Sequence, residues 1–160
     1  MNDTVRKIVI FVSSGGYVGF ASVASGTFGT MVGIPLYLLM YHFLPNAADY
    51  MALLLLLSFG GAWVSDKAEI ICGVPDSSKI VIDEIIGFLW GMFLIPPTYI
   101  SILLGFFVFR VMDVLKPPPL ERLEKVHGGW GVMLDDIGAG IYTCLILHIL
   151  RALLGSKLTW

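Results

Sequence analysis

Apolar residues in this chain run in long blocks separated by short breaks rich in glycine, proline and polar residues. The blocks predict membrane helices over residues 30–44, 50–64, 80–95, 99–115 and 137–154. Several fall short of the roughly 20 residues of a comfortable span, so flanking residues, tilt or local thinning must make up the difference. That shortfall draws polar groups towards a membrane face. Residues 8–26 form a poorer span, because Ser13, Ser14, Gly15, Gly16, Gly19, Ser22, Ser25 and Gly26 interrupt it. They predict a re-entrant or interfacial segment. Arg6 and Lys7 ahead of Ile8 superficially resemble the start of a signal peptide, yet the apolar run breaks at Ser13 and five further apolar stretches follow. The expected fold is all-α: one domain over residues 1–160, a polytopic membrane bundle of about five transmembrane helices plus the N-terminal segment.

Composition agrees. The 160 residues are 57% hydrophobic, against roughly 45 to 50% in soluble domains even with glycine included, and mean hydropathy is +0.86. A formal net charge of −2 offers no broad cationic field to a nucleic-acid backbone, which excludes nucleic acid as an expected partner. Cys72 and Cys144 stand far apart with no metal or redox spacing, and read as inert thiols. If the N-terminus is cytoplasmic, helical hairpins return 65–79 and 116–136 to the same side. Eight of the ten Lys and Arg residues then lie at or near that face, leaving Arg151 and Lys157 beyond the last helix.

Against this apolar background the acids stand out. Asp83, Glu84, Asp113, Asp135 and Asp136 lie within or beside apolar segments of a chain that is only 14% charged. A carboxylate near the middle of a bilayer costs roughly 2.5 to 3.5 kcal/mol on insertion scales, so several of them call for partners. The topology above puts all five at similar depth, together with Thr27, Arg110 and Lys116. A divalent cation is the leading candidate for that site.

Each group also has a plainer explanation. Arg110, Asp113 and Lys116 recur at three-residue spacing, so Arg110 and Asp113 share a helix face just before Pro117 stops the helix. Asp113 could ligate a metal while Arg110 and Lys116 meet phosphate oxygens; an interfacial Arg110–Asp113 ion pair beside a snorkelling lysine is the alternative. Asp135 and Asp136 precede the apolar block from Ile137, where an N-cap would account for one of them but not for two adjacent carboxylates. Gly140, four residues after Asp136, would admit a close helix. Asp83, Gly87 and Gly91 make a stripe of small residues running down from a carboxylate; a helix-dipole role explains one of Asp83 and Glu84. Ser25-Gly26-Thr27-Phe28-Gly29-Thr30 opens a predicted helix, and its backbone N–H groups could cradle a phosphate, or Thr27 or Thr30 could simply cap it. His127 beside Gly128-Gly129 could be a general acid, a phosphate ligand or an exposed loop histidine.

Four blocks, in order, carry a resemblance. Ser25-Gly26-Thr27-Phe28-Gly29-Thr30, Ile80-Val81-Ile82-Asp83-Glu84-Ile85-Ile86-Gly87, Phe109-Arg110-Val111-Met112-Asp113-Val114-Leu115-Lys116-Pro117 and the stretch from His127 through Gly131-Val132-Met133-Leu134-Asp135-Asp136 to Gly140 are similar to the phosphatidylglycerophosphatase A family. The resemblance implies a magnesium-dependent enzyme of the bacterial inner membrane that converts phosphatidylglycerophosphate to phosphatidylglycerol and phosphate. It also implies that Asp83, Glu84, Asp113, Lys116, Asp135 and Asp136 occupy the active site. The chemistry of the residues points the same way, because oxygen-ligated Mg2+ with Lys and Arg can neutralise a phosphomonoester. No signature of a cysteine, aspartate or histidine phosphatase nucleophile is present in the sequence. The expected metal ligands are Asp83, Asp113, Asp135 and Asp136, with Glu84 as ligand or base and with Arg110, Lys116, His127 and the Thr27 turn on phosphate. The alternative class is an ion or proton transporter, for which acids near the midplane and internal repeats would be expected.

Overall fold

The computed structural model describes residues 2–75, 77–123, 126 and 128–155. All regular structure among them is helical: α1 Asp3–Ser13, a single 3-10 turn Val18–Phe20, α2 Ser25–Phe43, α3 Ala47–Cys72, α4 Ile82–Gly91, α5 Tyr99–Leu115, α6 Leu120–Leu123 and α7 Gly129–Leu154. Only α5 has the bounds its sequence predicts. Its start is fixed by Thr98, whose hydroxyl accepts from the Ser101 N–H at 3.2 Å while the Thr98 N–H donates to Ser101 Oγ at 2.9 Å. Pro117 stops the other end.

The remaining segments differ from expectation for physical reasons. The segment 80–95 contains a helix of only ten residues, about 15 Å long, or half a hydrocarbon core. Seven of those ten residues are buried, because α2, α3, α5 and α7 all pack against α4. Its apolar run reflects burial in protein rather than contact with lipid. The segment 50–64 is the middle of α3, which continues through the expected loop to Cys72 and ends on Gly73 in the left-handed conformation. The helix expected at 137–154 begins eight residues earlier, at Gly129. That at 30–44 begins at Ser25, after Ala24, so neither Thr27 nor Thr30 caps it; the Thr30 hydroxyl donates back to the Gly26 carbonyl at 2.9 Å.

By length and composition two helices can cross a membrane, α3 and α7. The outward faces of the bundle are apolar: Leu55, Leu56, Phe59 and Trp63 on α3, Leu103 and Phe107 on α5, Leu145, Ile149 and Leu153 on α7 are all exposed. A water-soluble domain leaves no such continuous apolar exterior, whereas a membrane protein requires it. The N-terminal segment lies against residues 79–81: the Val81 N–H donates to the Ser13 carbonyl at 2.9 Å, and Lys79 sits over the Phe20 ring.

Without a hydrophobic force between helices in lipid, association depends on close packing and on polar contacts. Glycines supply the first. A Cβ on Gly140 would overlap the Gly87 carbonyl oxygen, one on Gly87 would meet the Asp136 carbonyl at 2.6 Å, and one on Gly91 would lie 3.0 Å from Thr143. The stripe Asp83–Gly87–Gly91 is therefore the seam between α4 and α7, as its spacing predicts. Buried hydroxyls supply the second. Tyr37 donates to the Ile95 carbonyl at 2.6 Å, Tyr50 to that of Leu89 at 3.3 Å, and the Trp90 indole to Ser58 Oγ at 3.0 Å.

Two glycine-to-alanine changes separate packing from helix propensity. Gly140→Ala forces α4 and α7 apart and should destabilise the detergent-solubilised protein by about 1 to 3 kcal/mol, the range for overpacked cores. Gly60→Ala on α3 meets open space and should be neutral or slightly stabilising. Thermal unfolding followed by tryptophan fluorescence measures both; equal stability of the two variants would contradict the seam.

Candidate active site

The seam sets the site. At its upper end the first turn of α4 presents Asp83 and Glu84, while α7 presents Asp135 and Asp136. Asp83, Asp135 and Asp136 are all buried. One carboxylate oxygen from each of Asp83, Glu84 and Asp136 lies within 4.8 Å of the others, a group able to hold a metal ion. Asp113, from the last turns of α5, lies close enough to Glu84 and Asp136 for their charges to interact. Two unit charges at this separation repel by roughly 3 to 4 kcal/mol at an effective dielectric of 20. The group as drawn wants a cation.

Side-chain cations supply only part of it. Arg110 Nη1 lies 2.6 Å from Asp113 Oδ2, the i, i+3 pair expected on that face. Lys116, in the left-handed conformation at the end of α5, places Nζ 2.8 Å from Asp135 Oδ2. Asp83 Oδ1 accepts from the Glu84 N–H at 3.1 Å. Glu84 Oε2 and Asp135 Oδ1 remain buried with no hydrogen-bond donor. Two orphaned carboxylate oxygens in a cluster of five acids are what a hard, oxygen-seeking cation would satisfy, so the residues fit Mg2+.

Other expectations change. Asp135 and Asp136 do not precede a helix; they sit two turns inside α7, and Gly128-Gly129, which looks like a breaker, instead lets α7 begin against α3. A Cβ on Gly129 would overlap the Ala62 carbonyl oxygen. The glycine-rich opening of α2 is likewise helical rather than an open loop. The Thr27 and Phe28 N–H groups both donate to the Ala24 carbonyl, so the Thr27 N–H is already engaged. Gly26, Gly29 and Gly33 face α4: a Cβ on Gly26 would overlap Glu84 Oε1 and lie 3.1 Å from Arg110 Nη1, and those on Gly29 and Gly33 would meet Val81 and Phe88 at 2.8 Å each. Gly26 is thus a site residue that sequence reading missed as such; its three- and four-residue repeat with Gly29 and Gly33 is the signal that could have found it. Asp66 pairs with Lys67 at 3.0 Å on a half-exposed face, consistent with a surface role. His127, a candidate phosphate ligand or general acid, lies outside the described residues.

A family model described as phosphatidylglycerophosphatase A matches residues 11–151, which contain every described member of the cluster. The chain belongs to the phosphatidylglycerophosphatase A family. It is accordingly a phosphatase. A phosphatidylglycerophosphatase A of Escherichia coli is 34% identical over 135 residues, covering 82% of this chain and 77% of that protein. Its counterpart from Haemophilus influenzae is 31% identical over 140 residues, covering 84% and 85%. A Bacteroides thetaiotaomicron protein, provisionally named a phosphatidylinositol-3-phosphatase, is 31% identical over 152 residues, covering 91% and 95%. No solved structure matches the chain. Family membership does not favour the transporter alternative.

Gly26 gives this geometry a direct check. Gly26→Ala pushes a methyl group into the Glu84 carboxylate, and displacing a reacting group by about 1 Å can cost a hundredfold in rate. Turnover of a lipid phosphomonoester should fall by about that factor in a variant that still elutes as a single species. Wild-type turnover would show that the first turn of α2 does not bear on Glu84 in the working enzyme.

Proposed function

We propose that the protein hydrolyses the terminal phosphomonoester of phosphatidylglycerophosphate to phosphatidylglycerol and phosphate, with Mg2+ as cofactor. The observation that carries the metal requirement is the group of buried Asp83 and Asp136 with half-buried Glu84, together with orphaned oxygens on Glu84 and on neighbouring Asp135. The substrate follows from the two relatives named phosphatidylglycerophosphatase A.

Asp83, Glu84 and Asp136 would hold the ion, with Asp113 and Asp135 beside them. When bound, Mg2+ supplies positive charge against the phosphoryl oxygens, which a cluster of carboxylates alone would repel. Arg110 retains donors beyond the one used in its pair with Asp113, a guanidinium having five, and the Lys116 ammonium adds a second positive charge at the same end. Those donors can meet the equatorial phosphoryl oxygens, whose charge is stabilised as the phosphorus–oxygen bond to the glycerol breaks. A water attacks phosphorus in line, and Glu84, through the carboxylate oxygen that the ion would not engage, accepts the water's proton. The leaving alkoxide takes up a proton from solvent, Glu84 returns its proton to solvent, and inorganic phosphate and the lipid alcohol depart.

A multi-pass arrangement in the bacterial inner membrane, with this site at the cytoplasmic face, suits the charge distribution. Lys67, Lys79, Lys116 and Arg122 share the acid-bearing end with Arg6 and Lys7, in keeping with the positive-inside bias. The expected count of about five crossings belongs to the same proposal. α4 would lie wholly inside the bundle at membrane depth.

Phosphate release from phosphatidylglycerophosphate by the purified protein tests the reaction, with phosphatidylinositol 3-phosphate as competitor. Chelation should abolish release and Mg2+ restore it; undiminished turnover after thorough chelation rejects the metal, and preferential hydrolysis of the inositol lipid rejects the substrate. Asp136→Asn keeps the size but removes charge, and should lower kcat by roughly a hundredfold with only partial rescue by excess Mg2+. Lys116→Ala should lower kcat/KM while leaving the half-maximal Mg2+ concentration unchanged.

Orientation has its own check. A single cysteine at Ser78, with Cys72 and Cys144 replaced, should resist an impermeant thiol reagent in intact cells and react in inverted vesicles. Labelling in intact cells would reverse the topology.

A further inference from the structure

A second polar feature lies at the far end of the bundle. There the end of α2, the start of α3, the turn after α4 and the last turn of α7 enclose a cavity of about 300 Å³. Its lining includes Tyr41, Pro45, Tyr50, Leu94, Pro96 and Arg151. Arg151 follows Asp136 by fifteen residues on α7, about 22 Å along the helix, so one headgroup cannot reach both ends.

A cation in the last turn of a helix complements the helix dipole, and that alone would explain Arg151 on a flat surface. It does not explain a cavity in front of it. Two neighbouring polar groups are already engaged: Tyr50 donates to the Leu89 carbonyl, and Asp49, the acid in the first turn of α3, accepts from Asn46 at 3.0 Å. Among the described residues no carboxylate pairs with Arg151. The lining also includes Leu94, a non-glycine residue in the left-handed conformation with φ 58°. The cavity is therefore a preformed pocket lined by one cation that no carboxylate among the described residues pairs.

Its volume is at the lower end for ligand sites, enough for a phosphate and its immediate substituents but not for acyl chains. Leu94 of the lining is exposed, as are Phe43, next in sequence to the lining Leu44, and Leu154, one helical turn beyond Arg151, so the surroundings of the cavity are apolar. A freely dissolved anion gains nothing from that apolar border, whereas a lipid does. We propose that this cavity binds the phosphodiester of an anionic phospholipid, with Arg151 supplying the charge and a fork of donors, at the membrane face opposite the acid cluster. The assignment does not depend on which lipid the enzyme hydrolyses.

Native mass spectrometry of the protein released from mixed micelles reads retained lipid directly. Phosphatidylglycerol adducts should survive in the wild type and in Lys116→Ala, and fall by about tenfold or more in Arg151→Gln, the loss expected for a charge-assisted hydrogen bond. Arg151→Lys should retain an intermediate level. Equal retention in Arg151→Gln overturns the proposal. So does loss in Lys116→Ala without loss in Arg151→Gln, which would assign the adduct to the acid-cluster end. Retention of phosphatidylcholine equal to that of phosphatidylglycerol removes the role of net charge, and displacement of the lipid by inorganic phosphate alone would make the site one for the free ion.

Discussion

The backbone-to-backbone approach of α4 and α7 governs this molecule. Gly87 and Gly140 each lie where a single methyl group would strike the carbonyl of the facing helix. Helices that close cannot slide by a residue without a clash, so the register of Asp83 against Asp136 is set by contacts that carry no charge at all. α2 is seated on α4 by the same device, with Gly26, Gly29 and Gly33 against Glu84, Val81 and Phe88. The acids are placed by small residues on neighbouring turns, and the polar chemistry inherits the precision of the packing.

That precision matters because the acids are mutually repulsive. Five carboxyl groups gather around two side-chain cations, and two of their oxygens have no donor. Left to itself, such a cluster would favour any rearrangement that separated the charges. The glycine seams deny that escape. Tight packing thus keeps the acids together against their repulsion, the arrangement a divalent cation would favour.

Much of this was legible in the sequence, and the limits are physical. The helix at Tyr99–Leu115 could be read to the residue because local chemistry fixes both ends: a threonine–serine capping box after two prolines, and a proline after Lys116. The α4–α7 seam could be read from the spacing of Gly87, Gly91 and Gly140. What escaped were boundaries decided by tertiary contact. Gly128-Gly129 reads as a break because glycine is usually a poor helix former, yet here its lack of a side chain is what allows α7 to start against α3. Hydropathy likewise cannot distinguish a segment buried in lipid from one buried in protein, so the enclosure of α4 by its neighbours was not legible. The five acids, Arg110 and Lys116 were visible as candidates because charge is scarce in this chain, whereas Gly26 carries no charge and was visible only as part of a repeat.

The short, enclosed α4 bears on how such a protein can be made. Ten residues carrying two acids in the first turn are a poor substrate for lateral release from a translocon into lipid, where an isolated helix must satisfy the bilayer on every side. α3 and α7 can partition as independent units; α4 can enter only once its neighbours have formed a protein-lined berth. Asp83 and Glu84 then never confront hydrocarbon, because their solvent changes directly from water to protein. The acid-bearing end of the molecule is in this sense completed late: α4 and α7 carry four of its five acids, and a nascent chain without α7 would lack Asp135 and Asp136.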